Sequence, residues 1–268
     1  MNIFKRIQIL VLVLFPACLF GMKQTTTVLD VQARAFVADI NLMTYKILEA
    51  VDKKGNKVIL ECYKIGNIAS AFEMQKKALA VISEAFADEI YDFLDDNLQI
   101  KAEYVDAVKD RYKEAELASL IKIASLCKDD RKKRVELTRQ EWEKSIEENA
   151  TSVKDLPGQS FVVMAKNIKG DLLGVVTFLI SPLCTHYFQD FTDGDVVLEP
   201  IAVAPTAQGC GLARLLVFSI LTLMPETTRI LLGTKIWNKK AQAVYKGLGF
   251  SVYSQKSASI KFVYAAKK

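Results

Sequence analysis

The sequence predicts a mixed α/β fold, in which helices flank a central sheet. The stretch from Asn67 to Leu156 contains no Gly or Pro, and its apolar residues recur at helical spacing. After Pro157 the pattern changes to short β-rich runs separated by turns. A glycine-rich turn near Gly209 then joins an apolar run to an amphipathic one, and this alternation of strands and helices is typical of an α/β sheet.

The composition is that of a globular chain without a strong charge bias. The 268 residues are 51% hydrophobic, which suffices for a sizeable core. The net charge is +5, and it falls when Lys5 and Arg6 of the N-terminal leader are set aside, so no nucleic-acid or membrane partner is indicated. Five cysteines without C-x-x-C spacing predict neither a zinc site nor a disulfide framework, and we expect no metal.

The N-terminus has the pattern of a secretory signal peptide. Lys5 and Arg6 precede a largely apolar run from Ile7 to Phe20, and small or polar residues follow from Gly21. The run is short for a membrane-spanning helix, so a signal cleaved near Gly21 is favoured over a short N-terminal anchor. We therefore expect three segments: a leader at 1–21, an N-terminal region at 22–156 and a core at 157–268.

The N-terminal region is expected to hold an extension, a first strand and an enlarged set of helices. Two apolar runs, Leu42 to Val51 and Val58 to Ile65, flank the turn-rich stretch from Asp52 to Asn56, which predicts a hairpin. The Gly- and Pro-free stretch that follows predicts three or four amphipathic helices.

The core is expected to alternate strands and helices. Phe161–Ala165 and Leu172–Ile180 flank a turn at Asn167–Asp171, which predicts an antiparallel pair. The further elements expected, in order, are a strand at Val196–Val203, a helix at Leu212–Met224, a strand at Arg229–Trp237, a helix at Lys239–Lys246 and two closing strands on either side of Gln255.

The turn before the helix at Leu212 has the features of an anion site. Gly209 and Gly211 lie where a strand meets a helix N-terminus, whose first N–H groups lack intrahelical partners and whose dipole favours negative charge. A structural helix cap is the alternative. Arg214 replaces the third glycine of a dinucleotide motif, and Gly-Lys-Ser/Thr is absent, so neither common nucleotide-binding loop fits.

Two motifs in order give the chain a resemblance to a known family. Gln208, Gly211 and Ala213 resemble Gln/Arg-x-x-Gly-x-Gly/Ala, the cofactor motif of the GNAT superfamily of acetyl-CoA-dependent N-acetyltransferases. The motif that usually follows it in that family is matched by Asn238, Ala241, Tyr245, Gly249 and Phe250. The resemblance implies the GNAT fold, a mixed and mostly antiparallel central sheet flanked by helices, here with an enlarged helical region before the second strand of that fold.

The resemblance also implies acetyl-CoA as co-substrate. Its pantetheine arm would pair with the backbone of the strand at Ile201–Val203, its diphosphate would rest on N–H groups of the turn, and Asn238 would face the thioester end. The cofactor-binding residues implied are Ile201, Ala202, Val203, Gln208, Gly209, Cys210, Gly211, Leu212, Ala213, Arg214 and Asn238.

Two residues are candidates for the proton transfers. By resemblance Tyr245 would donate a proton to the leaving sulfur, since a phenol with a pKa of about 10 keeps its proton at neutral pH; a packed aromatic is the alternative. Glu199 is the candidate base or water-relay anchor, because it lies two residues before Ile201 and strand alternation would place both on one face; an exposed strand carboxylate is the alternative. Lesser candidates are Tyr187, Asp193 and Asp195, and the single histidine, His186, is expected to have no catalytic role.

The sequence thus predicts an N-acetyltransferase that moves an acetyl group from acetyl-CoA to a primary amine by direct attack in a ternary complex. The alternative is a catalytically inactive CoA-binding protein of the same fold that acts as an interaction module through its helices. Expected partners are acetyl-CoA and an amine acceptor, small molecule or protein, with no nucleic acid and no stable membrane span once the leader is cleaved. The leader predicts an exported or membrane-associated protein, or a cytoplasmic one if it is an inward-facing anchor.

Overall fold

The computed structural model describes residues 32–34, 43–67, 74–152, 157–180, 188 and 190–266. The predicted leader lies outside these residues. The strands are β1 (Gln32–Arg34), β2 (Met43–Val51), β3 (Lys57–Asn67), β4 (Pro157–Lys166), β5 (Leu172–Ile180), β6 (Asp195–Val203), β7 (Arg229–Lys235), β8 (Ser251–Lys256) and β9 (Ser259–Ala265). The α-helices are α1 (Leu79–Phe86), α2 (Val105–Arg111), α3 (Glu114–Cys127), α4 (Arg131–Ser152), α5 (Leu212–Leu223) and α6 (Lys239–Gly247).

The nine described strands form one sheet in the order β1-β2-β3-β4-β5-β6-β7-β9-β8. Neighbours are antiparallel except β6 and β7, which are parallel and are connected through α5. A mixed, mostly antiparallel sheet flanked by helices was predicted, and it is confirmed. Strands from both sides of the predicted boundary at residue 157 share this sheet, because β3 pairs with β4.

The predicted hairpin in the N-terminal region is present as β2 and β3. A carboxylate oxygen of Asp52 accepts hydrogen bonds from the backbone N–H groups of Lys54 (2.8 Å) and Asn56 (2.9 Å). This side-chain bonding to the following backbone is the reason that Asp favours turns. The β4–β5 turn is built in the same way, with the Asn167 side-chain oxygen accepting from the N–H groups of Lys169 and Asp171.

Among the predicted boundaries that differ from the structure, two lie at β7 and at the closing strands. Strand β7 ends at Lys235 instead of Trp237, because the Trp237 side chain packs against residues of the region between β3 and β4, such as Phe93. The turn between the closing strands lies at 257–258, not at Gln255, which pairs with Ile260 inside β8.

Helices pack on both faces of the sheet. On one face, α1 and α4 bury Ile82, Phe86, Trp142 and Ile146 against β3 to β6. Trp142 and Ile146 are four residues apart, so they lie on the same side of the otherwise charged α4. Each such buried side chain stabilises the packing by roughly 1.5–3 kcal/mol. On the other face, α5 and α6 cover the larger core.

The remaining helices cap the end of β7. Among the described residues between β3 and β4 there are four α-helices, within the three or four that the sequence predicted, and two of them, α2 and α3, form a separate cluster around Trp237. The rings of Trp237 and Phe93 meet edge to face with centroids 5.3 Å apart. The extra helices thus enclose one end of the sheet. No helix in the ranges described here combines the length and apolar character needed to cross a membrane.

Candidate functional site

Strands β6 and β7 separate part-way along their length. They pair at Asp195 with Arg229, at Val196 with Ile230 and at Val197 with Leu231, whereas β6 continues to Val203 and β7 to Lys235. From residue 198 onward, the edge of β6 that faces β7 has no strand partner in the described part of the chain. The backbone of an edge without a strand partner can pair with an extended ligand.

A bulge in β6 lies at this opening. Phe178 pairs with Leu198 and Val176 with Ile201, so Thr177 of β5 stands opposite both Glu199 and its neighbour at 200. Leu198 and Ile201, three residues apart, pack into the same core cluster. The alternation that would place Glu199 and Ile201 on one face is therefore interrupted between them. The sequence analysis assumed regular strand alternation between Glu199 and Ile201, and the bulge shows that this assumption was wrong.

Glu199 is a buried carboxyl, with only 5% of its surface exposed. Burial raises its pKa to about 8, because a low-dielectric environment disfavours the charged form. A group with a pKa in this range can both accept and release a proton near neutral pH. The alternative of an exposed strand carboxylate is contradicted by this burial.

The glycine turn presents unpaired backbone donors. Gly209 and Gly211 have φ angles of 76° and 79°, a left-handed conformation that favours glycine, and α5 begins directly after them. The N–H groups of the five residues 209–213 donate to no acceptor within the described ranges, and the first bond in the turn is from the Arg214 N–H to the Gly211 oxygen (3.0 Å). Consecutive free N–H groups at a helix N-terminus form an anion site.

Neighbouring residues hold this turn against β6. The Gln208 side-chain N–H donates to the Val203 carbonyl oxygen at 3.4 Å, and the Cys210 side chain is buried. The Arg214 guanidinium is exposed and stacks over the Phe218 ring, 5.2 Å from its centroid. Of the other predicted cofactor residues, Ile201, Ala202, Val203, Leu212 and Ala213 are all buried at the junction of β6 and α5.

One residue that sequence reasoning missed is Gly174 of β5. A Cβ atom there would lie 2.9 Å from the Ala202 carbonyl oxygen and 3.0 Å from a methyl carbon of Leu216. Only glycine lets α5 approach the sheet this closely. An isolated glycine inside a β-rich run was the available signal.

Tyr245 lies wholly in the larger core, which α5 and α6 cover. It has no exposed surface, and its ring packs against Phe250 and Phe262 at centroid distances of 5.8 and 5.5 Å. Its hydroxyl has no hydrogen-bond partner in the described part of the chain, and burial raises its pKa above the ordinary value. Leaving a buried polar group unpaired costs about 1–3 kcal/mol, so a hydrogen-bond partner at this hydroxyl would be stabilising.

Asn238 has a role that the motif did not predict. Its side-chain oxygen accepts a hydrogen bond of 2.9 Å from the N–H of Ala241 and caps α6. The side chain is fully buried. Its predicted contact with the cofactor stays a prediction.

Asp195 is engaged in holding the closed end of the β6–β7 pair. Its oxygens accept from the Arg229 guanidinium at 2.9 and 2.6 Å and from Thr192 and Thr228. Burial alone would raise the pKa of Asp195, but the hydrogen bonds from Arg229 and Thr192 lower it below its ordinary value. Asp193 is exposed in the preceding loop, and His186 and Tyr187 lie outside the described residues.

A cleft of about 270 Å³ is lined by α3, α4, the segment 86–93 and the end of β7. Its lining includes Phe86, the last residue of α1, and Lys235, the last residue of β7, so the cleft borders the end of one of the two strands that diverge. The Lys235 ammonium forms an ion pair with Glu89 and donates to the Tyr112 hydroxyl at 3.1 Å. The lining also carries aromatic and acidic side chains, namely Tyr91, Phe93, Trp142, Glu116 and Glu141.

A model of the acetyltransferase (GNAT) family matches residues 117–250, half of the chain. The chain belongs to the GNAT acetyltransferase family. The match includes the opening between β6 and β7, the glycine turn and Tyr245, and the GNAT fold predicted from the sequence is confirmed. Within the described ranges of this GNAT protein, no group of three or more His, Cys, Asp or Glu side chains could hold a metal ion.

Several solved structures are similar to this GNAT protein, whereas no curated protein matches it. The PaiA N-acetyltransferase of Thermoplasma acidophilum, in complex with coenzyme A, is 11% identical over 76% of this chain and 99% of its own, with a TM-score of 0.39. The spermidine N-acetyltransferase SpeG of Vibrio cholerae is 19% identical over 46% and 73%, with a TM-score of 0.34. The N-acetyltransferase PseH of Campylobacter jejuni, in complex with acetyl coenzyme A, is 11% identical over 48% and 79%, with a TM-score of 0.33.

Proposed function

We propose that this protein is an N-acetyltransferase that moves the acetyl group of acetyl-CoA to a primary amine by direct attack in a ternary complex. The observation that carries the proposal is the row of five unpaired N–H groups at 209–213, next to the opening between β6 and β7.

The residues present fit a CoA thioester. The N–H groups of the turn suit a diphosphate, since they combine free donors with the positive end of the α5 dipole. The unpaired edge of β6, through Ile201, Ala202 and Val203, suits the amides of a pantetheine arm, because such a chain can pair with the sheet as a further strand. The thioester end then lies towards Tyr245.

Two side chains have the properties that the proton transfers require. The Tyr245 hydroxyl holds its proton firmly and has no partner, so it serves as the acid that protonates the leaving sulfur. Glu199, with a pKa of about 8, takes the proton from the attacking ammonium directly or through water. A backbone N–H near Val203 polarises the acetyl carbonyl.

The acceptor amine approaches from the face of the sheet on which α1 and α4 pack. The cleft borders Lys235 at the end of β7, and Phe86 and Trp142 of its lining belong to the core on the face of the sheet opposite α5. Glu116 and Glu141 line the cleft and form no ion pair with any described residue, and their carboxylates suit a cationic amine. The capping helices therefore define the acceptor.

A second candidate function is a catalytically inactive CoA-binding module. The complete burial of Tyr245 and the use of the Asn238 oxygen as a helix cap favour it, because both side chains then have structural roles. The two functions share the cofactor site and differ only in turnover.

The test combines binding with turnover. Calorimetry with CoA on the purified protein is expected to show binding, and acetyl-CoA mixed with a panel of primary amines is expected to release free thiol. Binding without thiol release on any amine would favour the inactive module. Absence of CoA binding at millimolar concentrations, on protein with a native circular dichroism spectrum, would overturn both functions.

We also propose that the chain divides into a leader at 1–21, an N-terminal and helical region at 22–156 and the GNAT core at 157–268. The leader directs the protein out of the cytoplasm. Acetyl-CoA is a cytoplasmic metabolite, so export requires either entry into another cell's cytosol or an uncleaved leader with the enzyme facing inward. Cell fractionation and sequencing of the mature N-terminus test this. A cytosolic product that begins at Met1 would contradict cleavage.

A further inference from the structure

The turn of the β2–β3 hairpin is attached to the glycine turn. The backbone N–H of Lys53, in the middle of the hairpin turn, donates a hydrogen bond of 2.9 Å to the carbonyl oxygen of Cys210. The hairpin lies in the part of the chain that precedes the residues matched by the family model, 117–250. The hairpin therefore brings to the glycine turn residues that lie outside the part of the chain matched by the family model.

The Lys53 side chain lies along Gly211. A Cβ atom built on Gly211 would be 2.8 Å from Cγ, 3.1 Å from Cδ and 3.2 Å from Cε of Lys53. Three successive carbons thus follow the surface of the turn, and the ammonium lies one bond beyond the last of them. Within the described residues this ammonium forms no ion pair and donates no hydrogen bond.

This arrangement concentrates positive charge. A cation is unfavourable at a helix N-terminus, where the partial charge of the dipole is also positive, and an anion is favourable. Here a lysine ammonium and five free N–H groups are held together at the start of α5, with no described anion between them. An ordered lysine side chain also loses rotamer entropy. A bound anion would offset both costs.

We propose that Lys53 binds the diphosphate of the CoA thioester together with the N–H groups of residues 209–213, so that the β2–β3 hairpin forms one wall of the cofactor site. This inference rests on the proposed function. The side chain reaches the turn from outside the core, whereas its neighbour Lys54 uses its N–H to bond Asp52 and makes no described contact with the turn.

The test compares Lys53→Met with Lys54→Met. Methionine keeps the length of the apolar part that packs along Gly211, with sulfur in place of Cδ, and removes the charge. Calorimetry with CoA and with 3′-dephospho-CoA is expected to show that Lys53→Met weakens both by the same factor, about 5- to 20-fold, as for loss of a charge-assisted hydrogen bond. Lys54→Met should bind both within about twofold of the unmodified protein.

Three outcomes would overturn the assignment. Unchanged or tighter binding by Lys53→Met would show that the lysine does not hold the diphosphate, while the proposed function would stand. A loss confined to CoA, with 3′-dephospho-CoA unaffected, would place the lysine on the 3′-phosphate instead. Failure of the unmodified protein to bind either nucleotide would overturn both the inference and the proposed function. Lys53→Gln, compared in the same way, replaces the methionine variant if that one does not fold.

Discussion

Val197 and Leu231 form the last pair of the parallel ladder between β6 and β7. On one side of this pair, the strands are held together by Asp195 and Arg229, which are partners both in the ladder and in an ion pair of 2.6 Å. On the other side, β6 bulges at Glu199 and the strands diverge. The opening therefore begins at the bulge, beyond the end of the ladder that Asp195 and Arg229 hold together, and each of these features can be tested.

Asp195→Asn should destabilise the protein by about 2–4 kcal/mol, because it leaves the Arg229 guanidinium without its buried partner. Since the hydrogen bonds lower the pKa of Asp195, its stabilising effect is fully present above its ordinary value of 3.8 and is lost as the pH falls through the lower folded-state pKa. Urea denaturation between pH 2 and 7 measures this, and the difference between the two proteins should shrink at the acidic end.

The matched control for this pair is Asp190→Asn. Asp190 also pairs with Arg229, at 2.7 Å, but its side chain is 53% exposed, so its loss should cost less than about 1 kcal/mol. Equal effects of the two substitutions would show that Asp195 does not anchor the strands.

Tyr245→Phe should separate catalysis from packing. Removing a buried hydroxyl that has no partner should leave stability unchanged or raise it by up to about 1 kcal/mol, because no protein hydrogen bond is lost. If the hydroxyl protonates the leaving sulfur, turnover should fall about 100-fold or more with CoA affinity unchanged. Tyr264→Phe, in the same aromatic group, is the control and should change neither. Full activity in Tyr245→Phe would remove its catalytic role.

Glu199→Gln should alter the dependence of stability on pH. The pKa of Glu199 is raised from 4.5 to about 8, so its stabilising effect is fully present below pH 4.5 and is lost as the pH rises towards 8. The glutamine variant carries no such charge. Its melting temperature relative to the unmodified protein should therefore increase from pH 5 to pH 8.

The same variant tests catalysis. If Glu199 is the base, the turnover rate should rise with pH through about 8, because the carboxyl must lose its proton to act. Glu199→Gln should lower the rate and flatten its dependence on pH. A variant with the same profile as the unmodified protein would assign deprotonation of the amine to another group.

Gly211→Ala should weaken CoA binding more than Gly209→Ala does. Both glycines have positive φ, so alanine at either costs about 1 kcal/mol. At Gly211 the new methyl also meets Lys53 Cγ at 2.8 Å, whereas at Gly209 nothing lies within 4 Å. Thermal unfolding and calorimetry with CoA measure both effects. Equal stability losses would show that the contact between the hairpin and the turn is not tight.

Local signals predicted the individual elements well. The hairpin turn at Asp52–Asn56 and the turn at Asn167–Asp171 are fixed by side chains that bond the adjacent backbone, which is information carried within five residues. The unpaired N–H groups before α5 are also a local feature, because they lie in a turn that contains Gly209 and Gly211, both with positive φ. The predicted end of β7 at Trp237 was wrong, because packing against residues more than 100 positions earlier decides it.

The sequence by itself determined the fold class, the family and the place of the glycine turn that we propose as the diphosphate site, since these depend on periodicity, glycine position and short motifs. Only the tertiary structure decided how those parts meet. The bulge at Glu199, the burial of Tyr245 and the approach of Lys53 to Gly211 each depend on contacts between distant segments. A residue's neighbours set its pKa and its access to a ligand, and they are known only once the chain is folded.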